Sequence, residues 1–305
     1  VIILKVKFEN IDYNLDRIFQ KPLDTICYNI DDGWDFIILI TGSGLTRTGK
    51  STFAQQIAAY CSKQLGTTFN NDNVVFGGKQ LIDVAKRLPK KSVIIDDESR
   101  EDVSGKRAME YMNKELLDFF NECGMYNHLI ILVATDFFDF SKSIAVTRSE
   151  MLFNLTRIVS DPITLKDGRE VVKLQRGHID FFDRKAKRKL YIFGKKSADD
   201  YEISAKYRSF YGHFTDTWII DREKYNTAKI NYIERDRSQK RNAWRILARV
   251  IRNLMNAGYK AGKIAKLCEI SINWQEKILR EYPQKKTEIE SETKSTAEDT
   301  LENDS

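Results

Sequence analysis

Gly44 and Gly49 bracket Leu45, Thr46, Arg47 and Thr48, and Lys50, Ser51 and Thr52 follow at once. The run fits the pattern GxxxxGK[ST] at every fixed position. Its chemistry is anion capture. Successive backbone N–H groups and the start of a helix converge on phosphate oxygens. The two glycines let the backbone take unusual dihedrals and approach closely. Lys50 would neutralise the β- and γ-phosphates of a nucleotide, and the Ser51 hydroxyl would sit on Mg²⁺. The expected ligands are ATP and Mg²⁺, cradled by residues 44–52. A glycine-rich turn with a chance lysine is the bland alternative, and the flanks argue against it. Residues 35–41 (DFIILIT) read as a short buried strand. Residues 51–65 (STFAQQIAAYCSKQL) lack Gly and Pro and carry apolar residues at helical spacing.

A second chemical signal is the acidic end of VIIDDE, residues 93–98. A carboxylate at the end of a neighbouring strand can hold Mg²⁺ through its waters. A glutamate after it can act as general base on the attacking water. Asp97 is the expected metal residue and Glu98 the expected base. Asp96 and Asp97 in those two roles form the alternative register. Thr135, at the end of the next apolar run (HLIILVAT, residues 128–135), stands where a polar side chain could contact the γ-phosphate or the water. Beyond it, Arg148 is the candidate arginine finger, acting on a neighbouring subunit, and Arg107 is a second candidate.

Several elements must position these groups. A strand is expected at residues 2–8 within an N-terminal extension, residues 1–34. The core, residues 35–165, alternates strands at 73–76, 92–96, 128–135 and 151–158 with helices at 79–88 and 107–123. Pro89 stops the first of these helices. Near-continuous apolar strands alternating with helices predict an α/β fold: a parallel sheet covered on both faces. Residues 166–236 read as a hairpin-rich accessory region. Strands are expected at 171–175 and 178–183, a basic turn at 184–187 and a returning strand at 188–193.

The chain has 305 residues and a net charge of +6. Residues 287–305 hold seven acidic residues and one lysine, so the other 286 residues carry +12. This asymmetry suggests a basic body with a polyanionic partner and a disordered acidic tail. Apolar runs stay far short of the ~20 residues of a membrane span. The start, VIILKVKFEN, turns charged within five residues, unlike a signal peptide. It begins at Val1, so an incomplete or processed N-terminus is expected. Cys27, Cys61, Cys123 and Cys268 form no CxxC pair, and only His128, His178 and His213 accompany them. That pattern supports neither zinc nor a disulfide framework, and buried reduced thiols in a cytoplasmic protein are expected.

From residue 239 a helical pattern begins. Residues 241–256 place Trp244, Leu247, Val250, Ile251 and Leu254 on or near one face, residues 261–268 form a short helix, and Ser271 is a good N-cap for residues 272–281. The stretch GYKAGKIAKLCEISINWQEKIL resembles the helix-turn-helix of resolvases and transcription regulators. The resemblance implies a small residue, Ala265, inside the second helix, and Ile264, Leu267, Ile270 and Ile278 in a shared core. It also implies a third helix whose first turns enter the major groove of double-stranded DNA. Asn273, Trp274, Gln275 and Lys277 are then the candidate base-side contacts and Lys263 a backbone contact. Lys240, Arg241, Arg245, Arg249, Arg252, Lys260 and Lys266 add basic charge. A protein-docking module of three helices is the alternative for residues 239–282.

The order of motifs resembles P-loop ATPases with an inserted strand, the group holding AAA+, RecA-like and DNA-pumping ATPases. Residues 35–160 are similar, within it, to the zonula occludens toxin-like and related phage, plasmid and archaeal ATPases. ITGSGLTRTGKST, SVIIDDESR, RAMEYMNKELLDFFNECGMYNHLIILVATDFFDFSKSI and VTRSEMLFNL carry the likeness. In that family the strand after the acidic pair often ends in glutamine, where this chain has Thr135 and Asp136. Filamentous-phage members carry a membrane segment, and none is visible here. The resemblance implies an ATPase handling DNA in a virus or mobile element of a prokaryotic host, assembled as a homo-oligomeric ring. The alternative is an ATP-dependent oligomerising switch that binds DNA with little turnover.

Overall fold

The structure is a computed structural model that describes residues 3–43, 45–97, 118–120, 123–197 and 206–283. Contacts divide the chain into two units, residues 1–227 and 228–305. The first is built on a seven-stranded sheet. Its strands, in chain order, are β3 (Phe36–Thr41), β4 (Val74–Val75), β5 (Val93–Asp96), β6 (Leu129–Val133), β7 (Ser149–Val159), β10 (Leu174–Phe182) and β11 (Phe210–His213). Across the sheet they lie β11-β10-β7-β3-β6-β5-β4. The five strands from β7 to β4 run parallel, and β10 and β11 are antiparallel additions at one edge.

Both faces of the parallel strands are apolar, as their continuous hydrophobic runs require. Ile38, Ile40, Ile95, Ile131, Val133 and Phe153 face one core. Ile37, Leu39, Ile94, Ile130, Leu132 and Leu152 face the other. The first face is covered by helices α1 (Gln20–Asp31) and α2 (Lys50–Leu65) and reaches the hairpin β1 (Ile3–Phe8)–β2 (Ile11–Asp16). The second is covered by α3 (Gly78–Arg87), Phe119, Phe120 and α4 (Arg184–Lys196). Helix α2 ends at Gly66, whose left-handed backbone (φ +66°) sends its N–H back to Lys63 and Ser62 carbonyls. Beyond α3, Leu88 is extended ahead of Pro89.

Three expectations change. Residues 184–193 are not a basic turn and returning strand but part of α4. Asp183 caps it by accepting from Ala186 N at 2.8 Å, and Ala186, Leu190 and Gly194 recur at four-residue spacing on the buried side. The LYIF run suggested a strand, yet Ile192 and Phe193 are exposed. A small hairpin exists instead at β8 (Ile163–Thr164) and β9 (Glu170–Val171). Second, residues 166–236 are no separate region, because β10 and β11 extend the central sheet. Third, the helix expected at 241–256 begins earlier: α5 spans Arg222–Asn256 and carries the chain from the first unit into the second. The expected helix at 107–123 lies largely outside the described residues, of which Asp118–Phe120 are helical. The acidic tail, residues 287–305, also lies outside them.

The second unit holds the later part of α5, α6 (Ala261–Leu267) and α7 (Ile272–Glu281). Its core joins Ala248, Ile251, Ile264 and Ile278, with Trp244, Leu247, Leu254 and Ile270 packed against it. Ala265 is buried, as the resemblance implies, while Leu267 and Val250 are exposed rather than in the core. No helix among the described residues is long and apolar enough to cross a membrane.

Candidate functional site

The glycine-rich loop leaves the end of β3, the strand at the middle of the sheet, and runs into α2. Gly42 N donates to the Thr135 carbonyl at 3.1 Å, and Leu45 N to the Gly42 carbonyl at 2.8 Å. Asn154, buried on β7, fixes the loop from the side. Its Oδ1 accepts from Thr41 Oγ1 at 2.9 Å and Ser43 N at 3.1 Å, and its Nδ2 donates to Ser43 Oγ at 2.7 Å. Ser43 and Arg47 take the left-handed backbone region, with φ +50° and +58°. Gly49, the residue ahead of α2, has φ +94°. A Cβ there would also lie 2.8 Å from the Phe214 ring, so both backbone and space demand glycine.

The interior of the loop is polar. Lys50 Nζ donates to the Leu45 carbonyl at 2.8 Å. A Cβ on Gly42 would meet Thr48 Oγ1 at 2.8 Å, Lys50 Nζ at 2.9 Å and the Leu45 carbonyl at 3.1 Å. The three polar groups thus converge over a residue with no side chain. Thr48 is fully buried, and its Oγ1 has no hydrogen-bond partner among the described residues. A buried hydroxyl left unpaired beside an ammonium is a costly arrangement that an anionic oxygen would relieve. Thr46 and Arg47 are exposed, Ser51 is half-buried, and Thr52 is buried with its hydroxyl 3.4 Å from Asp216 Oδ1. Gly44 lies outside the described residues.

The acidic end of β5 stands two strands from β3, with β6 between them. Thr135, just past β6, is therefore set between the loop and the acids, and its carbonyl contacts the loop directly. Asp96 and Asp97 do different jobs. Asp96, in register with Val75 and Leu132, is buried and accepts from Gly77 N at 2.7 Å. It follows Ile94 on the face opposite α2. Asp97 is buried too, but its Oδ2 accepts from the Tyr225 hydroxyl. Tyr225 closes a segment that lies along α2. This puts Asp97 on the face of the helix that begins with Lys50 and Ser51. Asp97 thus meets the segment packed on α2, whereas Asp96 is engaged by Gly77 N on the opposite face. Glu98, the expected base, and Arg107 lie outside the described residues.

Arg148 is not brought to this site. It closes a turn of π-helix, Ser143–Arg148, just before β7 begins, and Ser149 pairs with Ile37 near the start of β3. Its guanidinium donates to Asp35 Oδ2 at 3.2 Å and to the Phe120 carbonyl. Within one chain it lies at the end of the sheet away from the loop.

The third helix of the second unit, α7, starts at Ser271, whose Oγ accepts from Trp274 N at 3.2 Å. Asn273 is exposed. Trp274 is 44% exposed and stacks on Trp244 at 5.3 Å, with Lys277 Nζ 5.1 Å over its ring. Lys277 also reaches Glu281 at 3.8 Å. Lys263, on α6, is exposed, its Nζ 4.6 Å over Tyr259. Gln275 departs from its expected place: it is only 3% exposed. One turn past the cap, it faces the helical core near Ile278 rather than an open groove, so this side chain is not presented to base edges.

Sequence spacing did not reveal Asn154, Gly42 or Tyr225 as parts of the loop site. Tyr225 lies 128 positions from Asp97, and nothing in its surroundings, DREKYN, marks it. Asn154 carried a faint signal, as a lone amide in the apolar run MLFNL. Compared with known proteins, the chain matches no family model and no curated protein.

Proposed function

We propose that this protein binds and hydrolyses ATP with Mg²⁺ at the loop of residues 44–52 and acts on DNA through residues 239–282. One observation carries the reading. A glycine-rich loop leaves the central strand of a mostly parallel sheet, and an acidic strand end stands one inserted strand away. In this reading the fold is that of a P-loop NTPase, and residues 44–52 cradle the triphosphate. Lys50 neutralises its terminal phosphates, replacing its bond to the Leu45 carbonyl. The orphaned Thr48 hydroxyl gains an acceptor. Ser51 and Asp97 would hold Mg²⁺, which polarises the γ-phosphate when bound, while Glu98 takes the proton of the attacking water. Thr135 orients that water from between the two motifs. Asp96 supports Asp97 by pinning the backbone at Gly77.

Double-stranded DNA is the proposed partner of the second unit, with Asn273, Trp274 and Lys277 on the exposed start of α7 and Lys263 on a phosphate. A homo-oligomeric ring acting on DNA in a virus or mobile element of a prokaryotic host, in the cytoplasm, is the matching biological setting. Arg148 would serve such a ring as a finger only by leaving Asp35. Steady-state ATPase with and without duplex DNA tests the proposal. Turnover strongly raised by DNA is expected of a motor. Tight binding with negligible turnover marks the switch instead, and no nucleotide turnover or binding at all refutes the assignment. DNA affinity should fall steeply with salt as counterions are released, and Lys263→Ala should weaken all sequences alike.

A further inference from the structure

We propose that Tyr225 is a latch on Asp97, closed in this structure and opened when Mg²⁺-nucleotide binds, an inference that rests on the nucleotide-binding reading above. Residues 214–225 form a strap along α2. The Phe214 ring sits on Gly49 and lies 5.1 Å from the Phe53 ring. Gln56 Nε2 donates to the carbonyls of Thr215 at 2.6 Å and Thr217 at 2.8 Å. Gln55 Oε1 accepts from Ile219 N at 3.3 Å and Ile220 N at 3.4 Å. The strap ends where Asp221 accepts from Glu223 N and Lys224 N, starting α5. Tyr225 stands in that first turn. Its ring is 4.9 Å from Trp218 and 5.5 Å from Phe76, and its hydroxyl donates to Asp97 Oδ2.

Asp97 and Tyr225 are 4% and 5% exposed. A carboxylate that holds the water shell of a metal ion needs an oxygen open to that shell, and here one oxygen carries a buried phenol. A hydrogen bond is strengthened in a buried, low-dielectric site, so the metal's water shell and the phenol compete for this oxygen. The strap is also seated imperfectly. Gln55 Nε2 and Gln56 Oε1 are buried without hydrogen-bond partners among the described residues. Each unpaired buried amide atom weakens the hold of α2 on the strap. Opening the latch frees the first turn of a helix that runs on for 35 residues, so occupancy of the site is passed to that helix.

Tyr225→Phe in the full chain keeps the ring and removes only the hydroxyl. The probe is a fluorescent non-hydrolysable ATP analogue, titrated in Mg²⁺ and in EDTA. The latch predicts about tenfold tighter binding by the variant in Mg²⁺ and no change in EDTA. Binding by the variant alone supports it as well. Equal or weaker binding in Mg²⁺, beside a wild type that binds, overturns the latch and leaves the nucleotide site standing. No binding by either protein overturns both. In the wild type, amide hydrogen exchange over residues 222–230 should quicken with analogue and Mg²⁺ relative to analogue in EDTA. Unchanged exchange in a protein that binds the analogue counts against the latch.

Discussion

Asn154 shows how a single side chain can shape a backbone it does not belong to. Its amide satisfies the Thr41 hydroxyl and both the N–H and the hydroxyl of Ser43, where the chain turns into the loop. Asn154→Ala should leave the buried Thr41 hydroxyl and the half-buried Ser43 groups without this partner and destabilise the protein by about 1–3 kcal/mol. It should weaken ATP binding as well, since the loop loses its anchor. Urea unfolding and nucleotide titration measure the two effects separately. Lys187 is a second telling residue. Fully buried, it donates to both the carbonyl and the hydroxyl of Ser149. Burial lowers its pKa from the usual 10.5 to about 7. Between those values the unfolded chain holds the proton and the folded chain does not, so stability rises with pH across about 7 to 10.5. The protonated form below about pH 7 carries the full penalty. Lys187→Met should flatten that rise in thermal unfolding measured from pH 7 to pH 10. A slope equal to the wild type's would place the lowered pKa elsewhere.

At the scale of elements, α4 is held by its first residue. Asp183→Ala removes the cap on Ala186 N and should cost about 1 kcal/mol in urea unfolding. Were residues 184–193 the hairpin that their LYIF run suggests, the substitution would be close to neutral. The parallel strands were legible because burial on both faces writes continuous apolar runs such as FIILI and LIILV. Helix α3 was legible because Leu81 and Ala85 keep one side apolar and Pro89 stops it. Helix α1 was legible in principle, since Leu23, Ile26, Cys27 and Ile30 share a buried stripe at helical spacing. That pattern is diluted by Asp24, Thr25 and Asn29, which blur the stripe. In α4, four large apolar residues in a row favour a strand locally, and only the cap and the spacing of Ala186, Leu190 and Gly194 say otherwise. The strap over α2 was not legible. Its contacts are between residues some 160 positions apart and rest on backbone carbonyls that leave no trace in residue type.

At the scale of the whole molecule, the two units differ in what positions their candidate sites. The second has a capped third helix and a small core around Ile264 and Ile278, with Leu267 exposed and Gln275 turned inward against what its sequence resemblance implies. The first sets a glycine-rich loop and an acidic strand end on either side of one inserted strand, the arrangement on which the proposed nucleotide site rests. Lys50 is the decisive residue for the proposed nucleotide site, because the loop can fold without the ammonium but would lack the charge that neutralises terminal phosphates. The measurement is Mg²⁺-dependent ATP binding and hydrolysis by the wild type and by Lys50→Ala, with thermal unfolding recorded for both. The wild type is expected to bind and hydrolyse ATP, and the variant to melt alike, bind ATP far more weakly and not turn it over. A folded Lys50→Ala protein that hydrolyses ATP at the wild-type rate would contradict the proposed site.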